Sequence, residues 1–143
     1  MKKKAIIISI KGIKLSKKEK LLLSKEKPWG LILFKRNIKS FYQVKNLVSD
    51  IKKLSKNQKF PILIDEEGLS VSRLRNIFNH KFDASYFGNL YKIDQKVAQV
   101  LYKKYLLSLC KNLKKIGINI NTIPVLDVLR KNTNKIIGKR SFS

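Results

Sequence analysis

A chain of 143 residues with 43% hydrophobic content is long enough for one domain with its own core, and too apolar for a disordered basic tail. Its 33 lysines and arginines against nine acids give a formal net charge of +24, which invites a nucleic-acid reading. Arginine, whose fork favours phosphate and base recognition, occurs only at positions 36, 73, 75, 130 and 140, while lysine is spread along the whole length.

The surface therefore reads as lysine-coated. A basic RNA- or DNA-binding protein is the alternative reading, but dispersed lysines neutralise phosphates without reading base edges, so no specific nucleic-acid partner is expected. The single cysteine, Cys110, excludes an internal disulfide and falls in an apolar helical pattern, which predicts a buried structural thiol. Met1 to Lys4 mimic the start of a signal peptide, but the apolar run Ala5–Ile10 is cut short by Lys11 and Lys14. No stretch approaches a membrane span, so a cytoplasmic protein without membrane association is expected. One histidine and one cysteine give no ligand cluster, so neither metal nor cofactor is expected.

Taken in chain order, Ala5–Ile10 is β-branched and continuous, which predicts a first strand closed by Gly12. Ser16 and Glu19 have the spacing of a capping box and start a helix near Lys17 that must stop before Pro28. Leu31–Phe34 predicts a second strand, followed by a loop at Lys35–Asn37. Ser40 with Gln43 is a second capping box, and Val44, Leu47, Val48, Ile51 and Leu54 recur at helical spacing. Ile62–Ile64, between Pro61 and Gly68, predicts a third strand that runs into Asp65, Glu66 and Glu67. Three of the nine acids thus stand together at the carboxyl end of a strand, where α/β proteins bind ligands.

From Arg75 to Tyr91 no clear period is visible, which predicts a long loop with a helical turn or two. Asp94 then caps a long helix with Ala98, Leu101, Tyr105, Leu109, Leu113 and Ile116 on one face, and Gly117 sits where a left-handed terminating residue belongs. Ile118–Asn121 predicts a fourth strand. Continuous apolar strands alternating with amphipathic helices imply an α/β fold with a parallel sheet buried on both faces. Periodicity alone leaves a doubly wound sheet and a (β/α)8 barrel both open, although no glycine-rich phosphate loop follows any strand.

Four strings in order carry a family resemblance: Gly30–Asn37, Ile64–Gly68 with Val71–Leu74, Ile123–Val128, and Ile137–Phe142. Together they resemble the N-terminal part of the bacterial beta-N-acetylhexosaminidases of glycoside hydrolase family three, over essentially the whole chain. The resemblance implies one partial domain over residues 1–143, the first half (about four βα units) of a (β/α)8 TIM barrel. It implies hydrolysis, by a retaining mechanism, of terminal N-acetylglucosamine from peptidoglycan fragments during cell-wall recycling. By resemblance Asp65 accepts from sugar hydroxyls, Arg73 and Arg140 contact the same sugar, and Asp127 braces the loop after the fourth strand.

Two departures stand out. Leu69 and Ser70 replace the family's second glycine and following basic residue, and a leucine at such a bend is expected to strain the loop or crowd the pocket. The family's aspartate nucleophile and histidine–aspartate acid/base pair belong to a segment that these 143 residues do not reach, so no catalytic residue is assigned and the chain alone is expected to be inactive. His80 matches no family catalytic position and reads as an ordinary surface or loop histidine. Asp65 and Glu67, about 6–7 Å apart if both lie on a strand, cannot flank a sugar ring from opposite sides.

Overall fold

The computed structural model describes residues 3–143; Met1 and Lys2, which open the signal-like basic stretch, lie outside the described residues. Eight main elements follow one another: β1 (Lys4–Ile8), α1 (Lys17–Glu26), β2 (Pro28–Leu33), α2 (Phe41–Leu54), β3 (Ile62–Ile64), α3 (Ala84–Ile93), α4 (Gln95–Ile116) and β4 (Ile120–Asn121). The four strands form one sheet in the order β1-β2-β3-β4, every pair parallel. Leu31 pairs with Ile62, Leu33 with Ile64, and Ile64 with Asn121, so the carboxyl ends of the strands share one edge.

Local sequence accounts for most of these boundaries. At α1 the Glu19 amide donates to Ser16 Oγ at 3.2 Å, and the Ser16 amide returns the bond to the Glu19 carboxylate at 2.8 Å. Burial works against the Glu19 charge, but amide donors at Lys11 and Ser16 hold its pKa below the usual value. Lys27, left-handed at φ 46°, ends the helix ahead of Pro28. Strand β2 begins at Pro28, three residues before Leu31, because proline is compatible with the first position of a strand.

The second capping box differs in its return half. Ser40 accepts from the Gln43 amide, but the Gln43 side chain accepts from the Lys39 amide and donates to the Ile13 and Asn37 carbonyls, tying α2 to the loop after β1.

The core lies between the sheet and helices α2 and α4. Leu31, Leu33, Ile62 and Ile64 from the strands are fully buried, as are Val44 and Ile51 from α2, and Leu113 and Ile116 from α4 pack with them. The sheet is not buried throughout, contrary to the expectation from its apolar strands. Ile6 and Ile7 of β1 are 51% and 44% exposed, because an edge strand has a neighbour on one side only and no helix covers these positions. β1 and β4 are both edge strands among the described residues. An uncovered edge with exposed isoleucines pairs readily with another chain. The isolated chain is expected to self-associate as concentration rises and to melt without a sharp cooperative transition. Light scattering and thermal circular dichroism over a concentration series check this; a sharp melt from a strictly monomeric species would contradict it.

Three further expectations are corrected. Residues 84–93 form a full helix, α3, rather than part of a loop. Its buried side chiefly presents Phe87 and Gly88, so no aliphatic stripe marks it in the sequence. On α4 the stripe passes through Tyr102, which packs against Phe87 and Phe142, while Leu101 is exposed. Cys110 is also exposed, since the helix turns Leu109 and Leu113 inward and leaves position 110 on the solvent side.

Gly117, at φ 96°, closes α4 in the left-handed conformation anticipated for it. Gly88 serves close approach: a Cβ there would lie 1.5 Å from the Phe142 carbonyl oxygen. Gly88→Ala is therefore expected to push residues 138–142 off α3, at a cost of about 1–3 kcal/mol. Amide exchange should rise at Arg140 and Ser141, whose amides bond the Ile137 and Gly138 carbonyls; unchanged exchange there would contradict this packing. No described helix is long and apolar enough to cross a membrane.

Candidate functional site

Directly after β3, the chain places its acidic triplet at the carboxyl edge of the sheet. Asp65 accepts from Thr122 Oγ1 at 2.7 Å, just past β4, and from Arg73 Nη2 at 3.2 Å. Both members of that ion pair remain part-exposed, with side chains 23% and 29% accessible. Arg73 Nε is buried with no hydrogen-bond partner among the described residues.

Glu67 holds Arg140 in a two-pronged fork, Nε to Oε2 at 2.8 Å and Nη2 to Oε1 at 2.9 Å. The bond from Glu67 raises the Arg140 pKa above its usual value, and the charges of Asp127 and Asp65 act in the same direction. Asp65, Arg73 and Arg140 are thus brought to one end of the sheet. Asp127 itself is exposed, and the loop after β4 is braced through its backbone: the Asp127 carbonyl accepts from Ser141 Oγ at 2.5 Å.

Glu66, between Asp65 and Glu67, is fully buried. Its carboxylate accepts from Ser72 Oγ at 2.5 Å, from the Arg73 and Leu74 amides at 2.8 and 2.9 Å, and is 2.6 Å from His80 Nε2. Its own peptide group is clamped by the Asn121 side chain, which accepts from the Glu66 amide and donates to the Glu66 carbonyl, each at 3.0 Å. His80 is not a surface histidine. Its side chain is 7% exposed, because Glu66 on one side and the Tyr105 hydroxyl, 3.0 Å from Nδ1, on the other supply partners for both ring nitrogens. Burial, assisted by the Glu66 charge, pushes the Tyr105 pKa up to about 12.

The departures at Leu69 and Ser70 do not strain the loop. Leu69 is not among the residues with positive φ; its amide bonds the Phe82 carbonyl and its side chain is 47% exposed. Ser70 donates from its amide and hydroxyl to the two oxygens of buried Asp83, both at 2.7 Å, so this loop is fastened to the start of α3. Among the described residues no group of three or more His, Cys, Asp or Glu is placed to hold a metal ion.

The family described as Glycosyl hydrolase family 3 N terminal domain matches residues 2–143. The chain belongs to glycoside hydrolase family 3. A Beta-hexosaminidase of Xanthomonas campestris pv. campestris is 30% identical over 138 residues, covering 96% of this chain and 41% of the relative. A Beta-hexosaminidase of Stenotrophomonas maltophilia is 29% identical, with 40% of its length covered. The chain therefore spans about two fifths of the curated family 3 relatives it matches. Among solved family 3 structures, native NagZ from Neisseria gonorrhoeae superposes with a TM-score of 0.84 at 29% identity, over 98% of this chain and 40% of that one. The same enzyme in complex with N-trifluoroacetyl-D-glucosamine also gives 0.84, at 28% identity, over 98% of this chain and 42% of that one. The α/β architecture and parallel sheet are those of the family 3 N-terminal TIM-barrel-like domain, of which the chain covers part.

Sequence reasoning missed Glu67 as the partner of Arg140, and missed Glu66, His80 and Tyr105 as one connected group. Glu67 was visible as the third acid of the triplet, but its partner is 73 residues away. The lone histidine gave no signal of its own, because its partners come from a different loop position and from a helix.

Proposed function

We propose that these residues form the sugar-recognising part of a beta-N-acetylhexosaminidase site that takes a terminal N-acetylglucosamine of peptidoglycan fragments in the cytoplasm. The observation that carries this reading is Asp65 beside Arg73 at the carboxyl end of β3, with the Glu67–Arg140 fork alongside. A carboxylate accepts from a pair of sugar hydroxyls, and guanidinium groups donate to ring-substituent oxygens. The part-exposed ion pair leaves both kinds of group able to exchange a protein partner for a sugar oxygen. The hexosaminidase names of the curated relatives and the glucosamine derivative bound in the Neisseria gonorrhoeae neighbour support the same substrate class. In this reading the retaining chemistry, with its nucleophile and acid/base pair, is supplied by residues other than these 143.

The test is binding of free N-acetylglucosamine, followed by ligand-detected NMR at micromolar protein. The wild-type chain is expected to bind weakly, and Asp65→Ala to bind at least about tenfold more weakly, because hydrogen bonds to a charged group contribute roughly 1.5–3 kcal/mol. Equal binding by the two proteins, or none by a folded wild type, would refute the assignment.

A further inference from the structure

Glu66 lies between Asp65 and Glu67 in sequence, so its orientation sets theirs. Its peptide group is fixed to β4 by Asn121, and its carboxylate draws in the loop that carries Arg73 through the Arg73 and Leu74 amides. The remaining restraint comes from His80. An ionised carboxylate only accepts, so the His80 nitrogen facing Glu66 Oε1, Nε2, carries the proton. On the other side of the ring Nδ1 pairs with the Tyr105 hydroxyl on α4 at 3.0 Å. The chain of contacts Tyr105–His80–Glu66 links α4 to the acidic loop.

We infer that His80 is a positioning residue for the sugar-binding groups, acting through Glu66 to hold Asp65, Glu67 and Arg73 in their binding arrangement. The inference rests on the sugar-binding reading of Asp65, Arg73 and Arg140, the last of which Glu67 holds. His80 makes no hydrogen bond to any of them; its two partners are Glu66 and Tyr105, so its effect passes through the buried carboxylate. Without the ring, Glu66 Oε1 keeps only Ser72 as a partner and the Tyr105 hydroxyl loses its own. In a buried network such a loss loosens the whole group rather than one bond. Supporting hydrogen bonds of this kind decide whether binding side chains are held in place.

The experiment compares the wild-type chain with His80→Leu, His80→Gln and Tyr105→Phe, measuring N-acetylglucosamine affinity by ligand-detected NMR and unfolding separately by circular dichroism. His80→Leu is expected to weaken binding by roughly tenfold, the size of one lost hydrogen bond to a charged group. His80→Gln, whose carboxamide can donate to Glu66 and accept from Tyr105, should recover most of that loss. Tyr105→Phe removes only the outer bond and should fall between them. In the wild type, the His80 ring N–H signal should exchange slowly and move when N-acetylglucosamine is added, which a purely structural staple would not do. A folded His80→Leu that binds like the wild type, or a ring signal unmoved at saturating sugar, overturns the inference while leaving the sugar site standing. If His80→Leu does not fold, the ring signal decides alone. A folded wild-type chain that binds no N-acetylglucosamine overturns the sugar-binding reading, and the inference falls with it.

Discussion

The 143-residue chain alone is expected to release no aglycone from a chromogenic β-N-acetylglucosaminide, at any pH at which it stays folded. Cleavage of a glycoside needs one group beneath the anomeric carbon and a proton donor at the leaving oxygen, with carboxyl groups about 5–5.5 Å apart in retaining enzymes. The acids at the candidate site cannot divide those roles. Asp65 is held by Arg73 and Thr122, Glu67 by the Arg140 fork, and Glu66 is buried under four donors. All three leave the same short stretch after β3, so none can reach the opposite side of a ring bound by the others. Asp83 is engaged with Ser70, and His80 is closed in between Glu66 and Tyr105. Loss of catalytic groups that act as a unit costs on the order of 10⁶-fold in turnover, while binding contacts alone leave little acceleration. Aglycone release should therefore be indistinguishable from buffer and the same in Asp65→Ala. Turnover well above background that disappears in Asp65→Ala would mean that the described residues contain a catalytic pair after all.

Legibility in the sequence followed the range of the interactions. Ile62–Ile64 was readable as a strand to the residue, and the Ser16 and Asp94 caps placed two helix starts, because a cap and its amide lie three residues apart. The position of Asp65 at the end of β3 follows from the same local pattern. What stayed hidden was decided by groups far apart in the chain. Arg140 finds Glu67 across 73 residues, and His80 finds Tyr105 across 25. Helix α3 was hidden for a related reason: its buried face meets the aromatic side chains of Tyr102 and Tyr105, and its glycine meets the Phe142 backbone, which leaves no aliphatic period to read. Cys110 misled because an apolar helix segment does not by itself say which side faces the sheet. Leu69 misled because the loop fastens itself through Ser70 and Asp83, which removes the need for a glycine at the bend.

Replacing Glu66 is expected to separate sharply by the residue introduced: Glu66→Ala should leave the chain largely unfolded at 25 °C, whereas Glu66→Gln should remain folded. The alanine removes the acceptor for two backbone amides, the Ser72 hydroxyl and the His80 ring at once, in a position with no access to solvent. Each buried donor left unmatched costs about 1–3 kcal/mol, so the sum exceeds roughly 3 kcal/mol even if water enters to satisfy some of them. Small domains have only about 5–15 kcal/mol in total, and a sheet with two open edges starts at the low end. Glutamine keeps the shape and one acceptor oxygen. That oxygen can stay with the Arg73 and Leu74 amides if the new NH₂ takes the Oε1 position. Ser72 Oγ can turn to accept from it, and His80 can move its proton to Nδ1 and donate to the Tyr105 oxygen. The two backbone amides and the His80 ring keep partners, and only the Ser72 and Tyr105 hydroxyl protons must find new acceptors; both residues are part-exposed, so the cost should stay within about 1–3 kcal/mol. Urea titration followed by near-ultraviolet circular dichroism, at concentrations low enough to avoid association, separates the two variants. Equal midpoints for alanine and glutamine would mean that the Glu66 acceptors do not hold this loop, and that the acidic stretch after β3 is fixed by Asn121 alone.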